Sequence, residues 1–209
     1  MAAGAAAVMV RGMPGGRSSK IYAACEQLVA ALRVRPEVAL RAEGAAAALS
    51  ALRVCAAAEH ELRRASGFLP GFGRLALRLG AFGDTGGGVV LLASVGRLPG
   101  APAAPAGSPP LPVARRSDPG EVAGALARRL RAGGAGPVVL RAVGPAAADN
   151  LLRAVRAAQA ELAAKGAALA VAPALGASLA FDRLDQNELQ ASVFWWTQPA
   201  APLLVLPGR

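Results

Sequence analysis

The chain has 209 residues, of which 54% are hydrophobic but only 4% aromatic, and its formal net charge is +10. This length fits two domains of about 100 residues, and the charge favours a polyanionic partner such as nucleic acid, anionic lipid or an acidic protein. A GC-rich genome also produces Arg-rich chains, and that alternative stays open. Two cysteines exclude a disulfide framework and a metal motif. Both are predicted to be buried thiols in a reducing compartment.

The first half predicts the element order β-α-β-α-β-β. Ser18 or Ser19 is suited to cap the first helix, and the sequence GDTGG is typical of a hairpin turn between the last two strands. The first 20 residues contain no acidic residue and would also suit an organelle transit peptide, but Val8 and Val10 alternate as in a strand. The predicted strands are 6–12, 37–44, 73–82 and 88–96, and the predicted helices are 19–33 and 45–65.

The second half predicts the same order again. Ser117, Asp118 and Pro119 form a helix-start signal, and Pro145 opens the second helix of this half. Its longest apolar stretch, 166–181, is interrupted by proline and glycine, which argues against a membrane span. The predicted strands are 111–116, 137–144, 167–175 and 189–197, and the predicted helices end near Arg131 and Gly166.

A duplication explains why the order recurs. Residues 40–62 and 140–162 are identical at 13 of 23 positions without a gap, and such a fixed offset marks a repeated structural unit. Between the units, the segment 96–112 is rich in proline, glycine and serine and suits a semi-stiff tether. We therefore divide the chain into a first domain (1–97), a linker (98–110) and a second domain with an apolar tail (111–209).

The repeated helices each carry an apolar stripe at helical spacing, which is predicted to pack on the sheet of its own unit. Arg153 and Arg156 are expected to point away from the stripe of the second unit. The stripes consist of Leu52, Cys55, Ala58 and Leu62 in the first unit and of Leu151, Val155, Ala158 and Leu162 in the second.

Two segments in residues 113–165 resemble the stage V sporulation protein S family, whose members share the Alba-like β-α-β-α-β-β fold. They are SDPGEVAGALARRLRAGG and LRAVGPAAADNLLRAVRAAQ. The first half resembles the wider Alba group more loosely, through SSKIYAACEQLVAAL and LRAEG. The resemblance implies an α/β (α+β) fold class, with two tandem Alba-like domains joined by the Pro-rich linker.

The resemblance also implies a non-catalytic module that binds RNA or DNA and usually dimerises. Alba proteins contact phosphates through basic residues between the first strand and the first helix, assisted by a basic hairpin arm. The corresponding residues are Arg11, Arg17 and Lys20 in the first unit and Arg115 and Arg116 in the second. We expect RNA ahead of DNA, no cofactor, and dimer-like pairing of the two domains with each other or with another Alba-like chain.

The hairpin arms depart from the family's basic pattern. The first predicted tip contains Asp84 and no basic residue, and the second connection contains Asp182, Asp185 and Glu188 against one Arg183. Acidic arms are poorly suited to a phosphate backbone, so the usual clamp is in doubt in both units.

The segment VFWWT predicts a strand with two faces. Val193 and Trp195 would face one side of the sheet, and Phe194 and Trp196 the other. One pair serves the core; the other contacts a partner, stacks on bases, or lies under the C-terminal segment APLLVLPG. We favour a partner contact, and we assign Phe194, Trp195 and Trp196 to a protein interface.

No motif predicts catalysis or a metal site. The single histidine, His60, lies between two glutamates on a helix, where adjacent residues do not converge on one metal. GDTGGG lacks the Gly-Lys-Ser/Thr of a phosphate-binding loop. The alternative to nucleic-acid binding is a structural subunit of a ribonucleoprotein or an axonemal assembly, with an acidic protein as partner. We expect an intracellular protein without a membrane partner. The cytoplasm is the favoured compartment, and the nucleus, an organelle or the ciliary axoneme are the alternatives.

Overall fold

The structure is a computed structural model that describes residues 7–11, 18–65, 74–85, 88–98, 109–132, 136–164, 168–175 and 188–196. The first half contains β1 (Ala7–Arg11), α1 (Ser18–Val34), β2 (Glu37–Glu43), α2 (Ala45–Ala65), β3 (Arg74–Thr85) and β4 (Gly88–Leu98). The second half contains β5 (Leu111–Val113), α3 (Pro119–Ala132), β6 (Val138–Val143), α4 (Pro145–Ala163), β7 (Ala168–Leu175) and β8 (Glu188–Trp196). The fold is thus a mixed α/β fold, of the α+β type, with four helices and eight strands.

The predicted elements are all found, but one strand is shorter than its sequence pattern indicated. The prediction extended the strand that begins at Leu111 through Arg116, whereas β5 ends at Val113. The hydroxyl of Ser117 accepts a hydrogen bond from the Ala114 N–H at 2.9 Å. This contact turns the backbone away from the sheet directly after Val113, and it places Arg115 and Arg116 in a turn.

All eight strands form one mixed sheet in the order β1-β2-β4-β3-β7-β8-β6-β5. The outer pairs β1–β2 and β5–β6 are parallel, and every other neighbouring pair is antiparallel. Each parallel pair is connected through a helix, as a crossover between parallel strands requires. The strand order of the second half is therefore that of the first half read in reverse.

The registers of the strands show that the two halves are related by a local twofold axis. Leu40 is opposite Ala93 in the first half, and Leu140 is opposite Ala191 in the second. Two residues further along β4 and β8, Val95 is opposite Leu77 of β3 and Val193 is opposite Val171 of β7. Leu77 and Val171 therefore occupy matching positions, and they are paired with each other between β3 and β7. The halves thus join through the same position of each repeat, as in an isologous dimer interface.

The helices cover one face of this sheet, and the shared core lies between the two layers. The central helices α2 and α4 pack against each other across the local axis, while α1 and α3 flank them. Both predicted helix stripes are buried, as are Cys25 and Cys55, which confirms their predicted burial. The helices do not pack on their own half alone, because α2 also contacts β7 and α4 also contacts β3. Buried side chains of both halves form one continuous cluster, so the halves share a hydrophobic core.

Two glycines explain part of the repeated sequence. Gly44 and Gly144 precede α2 and α4 with φ angles of 87° and 86°. Their carbonyl oxygens accept the N–H groups of Ala48 and Ala148 at 2.9 and 3.1 Å, which are the first hydrogen bonds of each helix. A side chain would strain the backbone at this φ, so each repeat needs glycine at this strand-to-helix turn.

Candidate nucleic-acid interface

The loop between β5 and α3 presents two arginines to solvent. Arg115 and Arg116 are both exposed at the tip of a four-residue turn. The turn is closed by a hydrogen bond from the Ser117 N–H to the Ala114 carbonyl at 3.1 Å, opposite the bond from the Ala114 N–H to the Ser117 hydroxyl. In the part of the chain that the structure describes, neither guanidinium forms an ion pair.

One side chain of α4 holds this turn from below. The Asn150 amide nitrogen donates to the carbonyl oxygens of Ala114, Arg115 and Ser117 at 3.1, 3.0 and 3.1 Å. Because all three partners are acceptors, only the NH₂ end of the amide can face them. The turn is thereby connected to a helix that lies 33 to 36 residues away along the chain.

The first turn of α3 adds a second anchor on the other side of the loop. The Asp118 carboxylate accepts the Glu121 N–H at 2.9 Å, and Pro119 is the first residue of the helix. This is the predicted helix-start signal, and it is confirmed. Because Pro119 has no N–H and the Asp118 side chain accepts that of Glu121, the start of α3 contributes little to anion binding. In formal charge, the Asp118 and Glu121 carboxylates balance the two arginines.

A third carboxylate near the loop is engaged in an ion pair. Asp149, next to Asn150 in α4, accepts a hydrogen bond from the Arg153 guanidinium one turn later at 3.0 Å. Asp149 is therefore paired with Arg153 of its own helix.

The corresponding loop of the first half differs in its support. Arg11 ends β1 and Lys20 lies in the first turn of α1, whereas Arg17 lies outside the described residues. At the position of Asn150 the first repeat has Ser50, whose hydroxyl bonds to the Ala46 carbonyl of its own helix at 2.9 Å. Among the described residues, the hydrogen bond of the Ser50 side chain thus stays within α2.

The strands that precede the two loops end at opposite corners of the sheet. Strand β1 runs antiparallel to β5, and these strands form the two outer edges of the sheet. Seven strand spacings separate the edges, which corresponds to roughly 34 Å. Arg11 at the end of β1 and the turn of Arg115 and Arg116 after β5 therefore belong to different corners.

The aromatic segment lies on β8, near the centre of the sheet. Val193 is buried on the helix side, and Phe194 is 4% exposed on the opposite face, where it clusters with Ala76, Ala170 and Ala172. Trp195 and Trp196 are opposite Leu169 and Ala168 of β7 in the register of the strands. The interface role assigned to the three aromatic residues stays a prediction.

The acidic arms fall largely outside the described residues. Asp84 lies near the end of β3 and Glu188 begins β8. Asp182, Arg183 and Asp185 belong to the part of the chain that the structure does not describe. The prediction that acidic arms weaken a phosphate clamp therefore stays untested.

The histidine and the two cysteines belong to α1 and α2 and lie outside the cationic loop of the second half. His60 is exposed on α2, with its Nδ1 atom 3.9 Å from a carboxylate oxygen of Glu61. Burial raises the pKa of the Cys25 thiol to about 11, with the carboxylates of Glu61 and Glu26 adding to the effect. The pKa of the fully buried Cys55 is raised for the same main reason, desolvation. Among the described residues, no group of three or more His, Cys, Asp or Glu side chains is placed to hold a metal ion.

Sequence reasoning missed the residue that organises the loop. Asn150 was identified only within a segment that resembles a known family, although one local signal points to this residue. Asparagine is a poor helix former compared with alanine, and this one stands in the first two turns of an Ala-rich helix. A polar residue in that setting indicates a side-chain contact beyond its own helix.

The geometry describes a helix-backed mixed sheet with an anchored, cationic strand-to-helix loop in its second half. A sequence model of the stage V sporulation protein S (SpoVS) family matches residues 110–195, which include this loop, α3, α4 and the closing strands. The second half of the chain is therefore similar to a family named for a sporulation protein, as its sequence motifs predicted. A search of curated proteins found no match. None of the described helices is long and apolar enough to cross a membrane.

Proposed function

We propose that this chain is a non-catalytic nucleic-acid-binding protein that contacts phosphates through the loop between β5 and α3. The observation that carries the proposal is the exposed Arg115–Arg116 turn, which Asn150 and Ser117 fix beside the start of α3. Planar guanidinium groups suit phosphate oxygens because they donate several hydrogen bonds in a fixed geometry. The net charge of +10 attracts a polyanion from a distance.

The pairing of the halves supports a tandem Alba-like arrangement. The chain contains two units of the same element order, joined at equivalent positions of β3 and β7. We infer that the two halves act together in the way that two subunits act in the family's dimer. A second loop on the same molecule raises the effective concentration of the first at a long ligand, and we place RNA ahead of DNA as this ligand.

The test measures fluorescence anisotropy of a labelled RNA hairpin and of a DNA duplex of the same sequence. We expect Arg115→Glu/Arg116→Glu to weaken binding at least about 100-fold, since each lost charge-assisted contact contributes about 1.5–3 kcal/mol. The matched control is Arg33→Glu/Arg35→Glu, which changes the net charge equally at exposed positions in the other half. Equal losses in both double variants would contradict a specific role of the loop.

The alternative is a structural subunit that keeps the fold without binding nucleic acid. The observation that favours it is the outer face of the sheet, where Met9 and Val143 are exposed and where Phe194 is already packed among alanines. An acidic protein partner in a ribonucleoprotein or axonemal assembly would then take the place of nucleic acid. Absence of binding to both RNA and DNA by the unmodified protein would support this alternative.

A further inference from the structure

We infer that Asn150 is a positioning residue: it holds the Arg115–Arg116 turn in the one conformation that presents both guanidinium groups to phosphate. This inference rests on the proposed function of the loop. Asn150 itself is in contact with backbone carbonyls and not with the arginine side chains, so it acts through the turn.

The first step of the argument is the number of hydrogen bonds. The turn has three carbonyl oxygens directed at one point, and the two N–H groups of the Asn150 amide serve all three within 3.0–3.1 Å. One of those hydrogens must therefore be shared between two acceptors. Without the amide, three carbonyls of a partly buried turn would need water or another backbone conformation.

The second step compares the repeats. The first half has Ser50 at the matching position, and the Ser50 hydroxyl bonds to Ala46 of its own helix at 2.9 Å. The strand β1 and the helices α1 and α2 therefore form with serine at this point. We infer from this comparison that the three contacts of Asn150 serve the conformation of the loop after β5.

The third step is the benefit for binding. Arginine side chains lose conformational freedom when they bind, and a backbone fixed in advance reduces the freedom that remains to be lost. The turn is anchored on both sides, by Asn150 and by the Asp118 cap. Its backbone is therefore fixed before Arg115 and Arg116 meet a phosphate.

The test replaces Asn150 by Ser, the residue of the first repeat, and by Asp, which keeps the size but removes the N–H donors. Ser50→Ala is the matched control. Hydrogen exchange of the full-length protein should rise at least tenfold at the Ala114 and Ser117 amides in both Asn150 variants, and it should stay unchanged in Ser50→Ala. Unchanged exchange in Asn150→Asp would overturn the inference, whatever the protein binds.

Binding separates positioning from general stability. We expect Asn150→Ser to weaken RNA binding about tenfold in the unmodified protein, but to have no further effect when Arg115 and Arg116 are already Glu. Such non-additivity is the signature of residues that act as one unit. An equal loss in both backgrounds would overturn the inference. Absence of RNA and DNA binding by the unmodified protein would overturn the proposed function instead, and the exchange result would still decide whether Asn150 fixes the turn.

Discussion

The two halves of the chain share their strand order and their apolar positions, but polar side chains hold the backbone at different places in each. In the first half, the Glu59 carboxylate accepts the Leu75 N–H at 3.0 Å and the Arg63 and Arg74 guanidinium groups at 3.1 and 3.3 Å. This contact anchors the start of β3. In the second half, Gln159 stands at the position of Glu59, and its amide oxygen is buried without a hydrogen-bond partner in the described structure.

Residues 50 and 150 differ as well. In the second half, Asn150 connects α4 to the turn after β5, whereas the hydrogen bond described for the Ser50 side chain stays within α2. The comparison teaches that the duplication preserved the apolar frame, which both halves need to share one core. The polar side chains at positions 59/159 and 50/150 diverged, and the contacts of Asn150 hold the turn that carries the exposed Arg115 and Arg116.

The largest expected effect concerns the frame that the halves have in common. Leu77 is fully buried where β3 meets β7, so Leu77→Ala should lower the free energy of unfolding by about 2–5 kcal/mol. Urea denaturation followed by circular dichroism measures this loss in the free energy of unfolding. We expect a single transition because the two halves share one core. Val143→Ala, at a residue that is 57% exposed, is the control and should change stability by about 0.5 kcal/mol or less. Two separate transitions would show that the halves fold independently.

The second prediction tests the anchor of the first half. Glu59→Ala leaves the Leu75 N–H without its acceptor and removes the partner of two arginines, which should cost about 2 kcal/mol. Gln159→Ala at the matching position should change stability by less than about 1 kcal/mol, because the amide oxygen there has no bond to lose. Equal costs in urea denaturation would argue that the two halves do not differ at this point.

The third prediction tests the anchor of the second half by the same measurement. Asn150→Ser should cost about 1–2 kcal/mol, since one amide serves three carbonyls and the serine hydroxyl is too short to replace it. Ser50→Ala should be nearly neutral because alanine is the better helix former and the hydroxyl bonds only to its own helix. A larger loss in the free energy of unfolding for Ser50→Ala than for Asn150→Ser would contradict this difference between the halves.

The smallest effect concerns the thiols, which only the first half contains. Burial raises the pKa of the Cys25 thiol to about 11 from its ordinary value of 9.0, so the unfolded chain loses this proton at a lower pH than the folded one. Stability is therefore fully present below pH 9 and falls as the pH rises toward 11, by up to about 1.4 kcal/mol per pH unit for each thiol. Urea midpoints at pH 8, 9 and 10 should show the decline, and the variant Cys25→Ala/Cys55→Val should flatten it. An equally steep decline in that variant would assign it to other groups.

Much of the fold could be predicted because periodic apolar residues specify which face of an element is buried. The stripes of α2 and α4 and the two prolines that open helices follow from local sequence. The end of β5 could not be predicted that way, since apolar alternation carries no information about the Ser117 hydroxyl that turns the chain after Val113. Two features depend on contacts between distant segments: the pairing of β3 with β7, and the reach of Asn150 to a turn more than 30 residues earlier.

The candidate site could be predicted only in part from the sequence. Arg115 and Arg116 were identified by charge and by similarity to a family, and the structure places both at an exposed turn. Charge patterning does not indicate how rigid a loop is, so the residue that fixes it was missed. Hydrogen bonds to backbone carbonyls leave little trace in sequence, because any residue type supplies the carbonyl.

The salt dependence of RNA and DNA binding by the unmodified protein tests the central claim most directly. If Arg115, Arg116 and the basic residues of the first loop neutralise about 4–6 phosphates, the logarithm of the affinity should fall against the logarithm of the salt concentration with a slope of roughly −4 to −5 on duplex DNA. The Arg115→Glu/Arg116→Glu variant should lower the steepness by about 2. A flat dependence, or an unchanged slope in the variant, would contradict phosphate binding by this loop.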